Sequence, residues 1–342
     1  MTTLTVMPVS APDLNAPDFE RWLAGTEPEW FLEYLSPGPE ARARHLMGRF
    51  AGALAWPTGR AFLCSEGDRV LGAIALERMA WDSAHFGIEC GRIATCCIAQ
   101  GLSVERRRAL HAELLRDALR WADEQKIRLL QRRLLASRVD ETQCLGEAGF
   151  RPADSMVTML APLAIVAPVC GPDPRLAFRA ARADDLPALL AMTRGAFPHS
   201  RFVQDPILKV SRGDEVYQRW IENLLLNQHT DKTPAGTKEE VMVCALGGAV
   251  AGYAAYRTDR ALDALLGRRL GMLDLIVVDK AHRGQGIGRA LLDRVMEAMR
   301  KDGIGEVEAT TWTDQREALA LYRRAGLQEK ETLLTYHLWM NG

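Results

Sequence analysis

The chain has 342 residues, 48% of them hydrophobic and 25% charged, and its 43 Lys and Arg nearly balance its 44 Asp and Glu. That length suits two domains better than one core, and the balanced charge argues against a general binder of nucleic acid or of membrane surfaces, which would carry a basic excess. Met1–Arg21 holds no cationic stretch followed by an apolar one, and no apolar run approaches the ~18 residues of a membrane span, so a cytoplasmic protein is expected. The seven cysteines are an odd number without a C-x-x-C pair. They read as reduced, mostly buried thiols, and no metal site is expected.

In chain order, Pro39–Trp56 has helical spacing, and Ala61–Cys64 with Val70–Ala80 reads as a hairpin turned at Glu66-Gly67-Asp68. A strand near Arg92–Ile98, a long helix over Val104–Gln125 and a strand near Ile127–Leu135 follow. A short helix from Asp140 and a strand at Ser155–Leu160 complete the first half. Ala161–Arg175, APLAIVAPVCGPDPR, has four prolines and no helical period, which predicts an extended linker.

The same order then returns. Leu176–Arg179 reads as a strand, Asp184–Ala196 and Asp214–Leu226 as helices, and Val241–Leu246 with Val250–Tyr256 as a hairpin over Gly247-Gly248. Leu273–Val278 is a near-continuous apolar strand, followed by a Gly-rich loop and a helix to about Lys301. Strand Glu306–Thr311, helix Asp314–Arg324 and strand Thr332–Leu338 close the chain. At a fixed offset of 177, Gly149 falls on Gly326, Ile127 on Ile304, and Leu114-Leu115 on Leu291-Leu292. The expectation is an internal duplication of one α+β unit, divided as 1–163, a linker 164–175, and 176–342.

The decisive segment is Leu273–Leu292, LDLIVVDKAHRGQGIGRALL. Glycines at 284, 286 and 288 let backbone N–H groups approach a ligand closely, and the helix behind them carries a partial positive charge at its start. Such a turn suits a phosphate or pyrophosphate, with Arg283 and Arg289 adding neutralisation. A Walker A loop is excluded, because its spacing and its Lys are both missing. A dinucleotide fingerprint is disfavoured by the glycine spacing and by the antiparallel strands before it.

Arg283-x-x-Gly286-x-Gly288 after Val277-Val278-Asp279, with Ala318-x-x-Leu321-Tyr322-x-x-x-Gly326 downstream, resembles the GCN5-related N-acetyltransferase (GNAT) superfamily over roughly Ala177–Trp339. The resemblance implies a mixed, mostly antiparallel sheet flanked by helices in two tandem GNAT-like domains. It also implies acetyl-CoA as cosubstrate. Its pantetheine would lie on the backbone of Ile276, Val277 and Val278, and its pyrophosphate on Arg283, Gly284, Gln285, Gly286, Ile287, Gly288 and Arg289. Tyr322 falls where the family places the acid that protonates the departing thiolate, and Gln315 stands where many members have Asn. Asp274 and His282 are candidate proton acceptors for the attacking amine, and neither is singled out.

In the first half the offset puts Arg106 on Arg283, Ala109 on Gly286, His111 on Gly288 and Leu145 on Tyr322. Side chains at 109 and 111 would obstruct a phosphate, and Leu145 offers no acid, so the first domain is expected to be degenerate. Trp81-Asp82-Ser83-Ala84-His85-Phe86-Gly87, Ser200-Arg201-Phe202 and Tyr217-x-x-Trp220-Ile221-Glu222-Asn223 resemble bacterial dTDP-fucosamine (dTDP-4-amino-4,6-dideoxygalactose) acetyltransferases. That similarity implies a nucleotide-linked amino sugar as acceptor and a soluble enzyme, with a homodimer possible. Arg201 would meet the diphosphate, and Tyr217 or Trp220 would stack on a base or sugar. Read bottom-up, the same residues serve equally well as core and turn. Compared with those enzymes the sequence has a longer N-terminus and an extra segment at about Arg257–Arg269. Two other readings stay open: a protein or peptide N-acetyltransferase, and a non-catalytic acyl-CoA-binding regulatory module.

Overall fold

The computed structural model of the chain describes residues 4–10, 17–29, 33–166, 173–210, 212–226 and 236–340. Half of the expected linker 164–175, residues 167–172 with Cys170, lies outside them. Two compact units emerge: Met1–Ser155 with Thr332–Gly342, and Met156–Glu331. The expected division at 164–175 therefore does not separate them. Each unit takes the last strand of its sheet from the other half of the sequence.

The first unit orders its strands β1 (Thr5–Val9), β2 (Arg60–Glu66), β3 (Arg69–Arg78), β4 (Cys90–Ile98), β5 (Leu129–Leu135) and β12 (Gln328–Trp339). Only the β4–β5 pair is parallel. The second unit runs β6 (Arg151–Pro162), β11 (Glu306–Trp312), β10 (Leu270–Val278), β9 (Ala249–Asp259), β8 (Thr237–Leu246) and β7 (Leu176–Ala180), again with one parallel pair, β10–β11. This is the α+β, mostly antiparallel arrangement expected.

Local sequence explains the elements. In β11, Val307 and Ala309 are buried, while Glu306, Glu308 and Thr310 on the opposite face are partly exposed, the period of two that a pleated strand requires. The helix Ile287–Lys301 buries Ile287, Leu291, Leu292, Val295, Met296 and Met299 at helical spacing and ends on Arg300 and Lys301, where the helix dipole favours cations. Those residues join Met159, Ala161, Leu273, Val307, Ala309 and Tyr322 in the second unit's larger core, and a smaller core on the sheet's other face holds Tyr253, Leu275 and Val277. The first unit's main core gathers Leu110, Leu114, Trp121, Leu134 and Leu145, and includes Tyr336 from β12.

The duplication is visible in detail, with two offsets. From Ile127 onward, β5, helix Val139–Glu147 and β6 match β11, helix Arg316–Arg324 and β12 at 177. Before the loop the offset is 180. A β-bulge near Ala94 matches one at Asp274, and helix Ala80–Phe86 matches helix Arg260–Leu266, each ended by a left-handed glycine, Gly87 and Gly267. The segment Arg257–Arg269 thus contains the internal counterpart of the Trp81–Gly87 run. Trp81–Gly87 itself is a short helix on which Trp81 and His85 stack, 5.0 Å between centroids.

Candidate active site

In the second unit β10 pairs with β11 only from Leu270↔Glu306 to Leu273↔Ala309. The bulge at Asp274 then turns β10 away, while β11 continues along β6 as far as Trp312↔Met156. The two parallel strands splay apart. Antiparallel pairing to β9 uses alternate residues, and Asp279 N–H donates to Ala251 C=O at 2.9 Å. The main-chain groups of Ile276 and Val278 therefore point into the opening. Val278 C=O accepts a 3.3 Å bond from Arg283 Nε.

The glycine turn sits at the end of this strand. Asp279 Oδ1 accepts from Ala281 N–H at 2.8 Å and caps a single turn, Lys280–His282. Gly284 and Gly286 then hold φ of +77° and +79°, a region that L side chains avoid, and a Cβ at either would meet no protein atom within 4 Å. Gly286 is the N-cap of helix Ile287–Lys301, and the first main-chain bond to it comes from Ala290 N–H at 3.0 Å. The N–H groups of Ile287, Gly288 and Arg289 precede that bond and have no carbonyl within the helix. A Cβ on Gly288 would reach ordinary contact with Val278 Cγ2 at 3.5 Å and Leu321 Cδ2 at 3.8 Å.

Arg289 donates through Nε to Asp293, at 2.9 and 3.1 Å, and through Nη1 to Arg324 C=O at 2.7 Å. Its guanidinium braces two helices, and what it presents at the turn is its main-chain N–H. Arg283 and Gln285 are exposed, and Gln285 Nε2 reaches back to Ala281 C=O at 3.4 Å. Tyr322 lies in the core between helix Arg316–Arg324 and helix Ile287–Lys301, and burial raises its phenol above the ordinary tyrosine range. Gln315 opens the first of these helices, and its Oε1 is buried without a hydrogen-bond partner. Left so, such an atom costs free energy that a ligand N–H would recover. The open strand edge, the unfilled space over Gly284 and Gly286 and this orphaned acceptor all fit an acetyl-CoA.

Of the candidate proton acceptors, Asp274 is held on both oxygens by Arg257 Nε at 3.0 Å. Burial raises its carboxyl pKa, and the guanidinium opposes that shift. His282 stands 3.5 Å from Asp279, beside the turn. Tyr217 and Trp220 are gathered with Phe197, Phe202 and Trp312: Tyr217 lies 4.4 Å from Phe197 and edge-on to Trp312 at 5.9 Å. Arg201 lies over Phe202 at 4.1 Å. The three expected acceptor residues thus share one aromatic group at the far end of β11. Phe197 and Trp312 were not singled out in the sequence, because an isolated aromatic, one in a loop and one at the end of a strand, carries no motif.

Among the described residues the first unit has no counterpart of the Gly284–Gly286 turn, and its shorter loop carries one left-handed glycine, Gly101 at φ +77°. Ala99–Ser103 is three residues shorter than Asp279–Gly286, the difference between the two offsets, and the positions matching the turn are helical, in a 21-residue helix Val104–Glu124 capped by Ser103. Leu145, at the place of Tyr322, is fully buried. The obstruction expected from Ala109 and His111 is thus a difference of backbone as well as of side chain.

Residues 206–327 match the model of the family described as Acetyltransferase (GNAT) family. Among curated relatives, N-alpha-acetyltransferase MAK3 of Arabidopsis thaliana is 38% identical over 72 residues, 21% of this chain and 37% of the relative. N-acetyltransferase 8 of Mus musculus is 35% identical over 95 residues, 28% of this chain and 41% of the relative. The chain therefore spans well under half the length of these relatives. A GCN5-related N-acetyltransferase of Sphaerobacter thermophilus has a TM-score of 0.63 at 18% identity, covering 98% of this chain and 95% of that one. A tandem GNAT protein from the clavulanic acid biosynthesis pathway has a TM-score of 0.58 at 15% identity, covering 98% of both chains. These likenesses establish the GNAT fold over the whole chain.

Proposed function

We infer, from a GNAT-fold chain whose second unit matches the family model, that this protein is an N-acetyltransferase working from acetyl-CoA on a primary amine. The observation that carries the reading is the left-handed glycine turn at Gly284–Gly286, set at the mouth of the β10–β11 splay. The N–H groups of Ile287, Gly288 and Arg289 hold the diphosphate, helped by the helix dipole. The main-chain groups of Ile276 and Val278 hold the pantetheine and orient the thioester. Gln315 Oε1 accepts a hydrogen bond from the same ligand. Acetyl-CoA supplies the activated acetyl group. Tyr322 keeps its proton on the phenol oxygen and passes it to the departing sulfur as the amine nitrogen bonds to the acetyl carbon and the carbon–sulfur bond breaks, and the proton that the nitrogen sheds restores the phenol. The first unit, lacking turn and tyrosine, is a degenerate copy.

For the acceptor, the matches at Trp81–Gly87, Ser200–Phe202 and Tyr217–Asn223 favour the amino group of a dTDP-amino-deoxy sugar, with the aromatic group around Tyr217 as its platform. The plant relative is named an N-alpha-acetyltransferase, which favours a peptide amine as the second reading. Thiol release measured with dTDP-4-amino sugars, peptides and polyamines separates them. Turnover on the sugar alone supports the first reading, turnover on peptides alone replaces it, and no thiol with any amine removes the enzyme assignment.

A further inference from the structure

The first unit has the same splay. β4 pairs with β5 only from Cys90↔Leu129 to Ile93↔Arg132, and beyond the bulge near Ala94 the strands part. The strand edge that the second unit presents to a ligand is here already taken. Glu27 N–H donates to Ile98 C=O at 2.8 Å, Gln100 N–H to Gly25 C=O at 3.2 Å, and Thr26 bridges Ala99 antiparallel. Gln100 Nε2 adds a 2.8 Å bond to Thr26 C=O. Cys96 N–H donates to Glu29 Oε2 at 3.0 Å. At the offset of 180, Cys96 and Ile98 are the counterparts of Ile276 and Val278.

A buried charge network locks this segment in place. Arg132 Nη2 donates to both oxygens of Glu29, at 3.0 and 2.9 Å, and its Nε donates to Glu141 at 2.7 Å. Arg138 pairs with Glu141 at 2.7 Å and donates to the carbonyls of Cys96 and Pro28, both at 3.0 Å. Two guanidiniums face two carboxylates, all buried, and every one of the four is paired. In the second unit the counterparts of Arg132, Arg138 and Glu141 are Ala309, Gln315 and Ala318. Arg138 thus stands at the position of Gln315, whose Oε1 acceptor has no partner, and it donates its own bonds to the chain itself.

We propose that Gly25–Glu29 is a resident occupant of the first unit's cleft, lying along β4 as an added strand where the second unit receives its ligand, with the Glu29 carboxylate on the main-chain N–H that a ligand carbonyl would otherwise meet. The cleft has been converted from a binding site into a folded one. It takes no coenzyme whatever the second unit does. The neighbouring group Cys96, His111 and Glu141, close enough to suggest a metal, belongs to the same device, because both oxygens of Glu141 already face guanidiniums.

Amide hydrogen exchange on the unmodified chain, with and without CoA, tests this. The alternate amides of Cys96–Gln100 should exchange slowly and identically in both conditions. Those of Ile276–Lys280 should exchange fast alone and slow when the coenzyme is present. Added CoA slowing exchange at Cys96–Gln100, or fast exchange there without it, overturns the proposal. No change at Ile276–Lys280 instead counts against the second unit's cofactor reading and leaves this proposal standing. In a Glu29→Ala chain, alkylation of the buried Cys96, followed by peptide mass spectrometry, should quicken by about tenfold or more. An unchanged rate in a folded variant overturns the lock, and if the variant does not fold, the exchange comparison decides.

Discussion

Tyr322 has only 4% of its surface exposed, and burial pushes its phenol upward, so it holds its proton at pH values where an exposed tyrosine begins to ionise. In the proposed reaction such a donor acts when the sulfur leaves and contributes little contact area before then. Tyr322→Phe should therefore lower kcat by roughly 10²- to 10⁴-fold while acetyl-CoA affinity, measured by calorimetry, stays near the original. Equal loss in both would remove the acid role. Gly286 is held at φ +79°, where a β-branched residue is strained by ~1–3 kcal/mol even before any ligand is met. Gly286→Val should abolish CoA binding in the same titration. Its positional counterpart, Ala109, lies inside a helix, so Ala109→Gly should cost about 1 kcal/mol of first-unit stability and leave CoA affinity unchanged.

At the scale of elements, the first unit should be the acid-sensitive one. His45 sits in helix Pro39–Leu54 with its pKa lowered to about 3, and His111 sits in helix Val104–Glu124 with its pKa lowered to about 4, each chiefly by burial. Both rings are neutral when folded. The unfolded chain takes up protons near pH 6.5 while the folded one does not. Stability contributed by the two rings is complete above that value and falls as the pH drops from about 6.5 toward 4. Each ring contributes roughly 3 kcal/mol over that span. Chemical denaturation between pH 7 and 5 should show this loss before the carboxylates titrate, and His111→Gln should flatten it. An unchanged midpoint over that range would contradict the buried, neutral assignment.

For the molecule as a whole, the exchanged last strands make a prediction that chain order would reverse. β12 pairs with β5 from Leu333↔Leu135 to Trp339↔Leu129 and contributes Tyr336, Leu334 and Leu338 to the first unit's core. Removing residues 332–342 should therefore destabilise the sequence-distant first unit, exposing Trp121 and Leu134 to solvent. Peptide-resolved hydrogen exchange would show protection lost at Leu129–Leu135. Loss confined to residues 306–327 would refute the exchange.

The sequence by itself determined the fold class, the repeated order of elements and the glycine turn, because each is carried by local signals: period, turn chemistry, and a run of glycines between an apolar strand and an amphipathic helix. Gly284 and Gly286 were legible for the same reason, whereas Tyr322 and Gln315 were named only through the family resemblance. Tertiary structure decided what depends on residues far apart in the chain. Nothing near Glu29 signals that its carboxylate meets Arg132 across 103 positions, or that Gly25–Glu29 lies along β4. Nor does the period of β6 or β12 say which sheet it joins, since an apolar strand is equally satisfied by either edge until neighbouring side chains choose. The linker's prolines marked a break in helix and strand propensity, and compact units are bounded instead by which strands share hydrogen bonds.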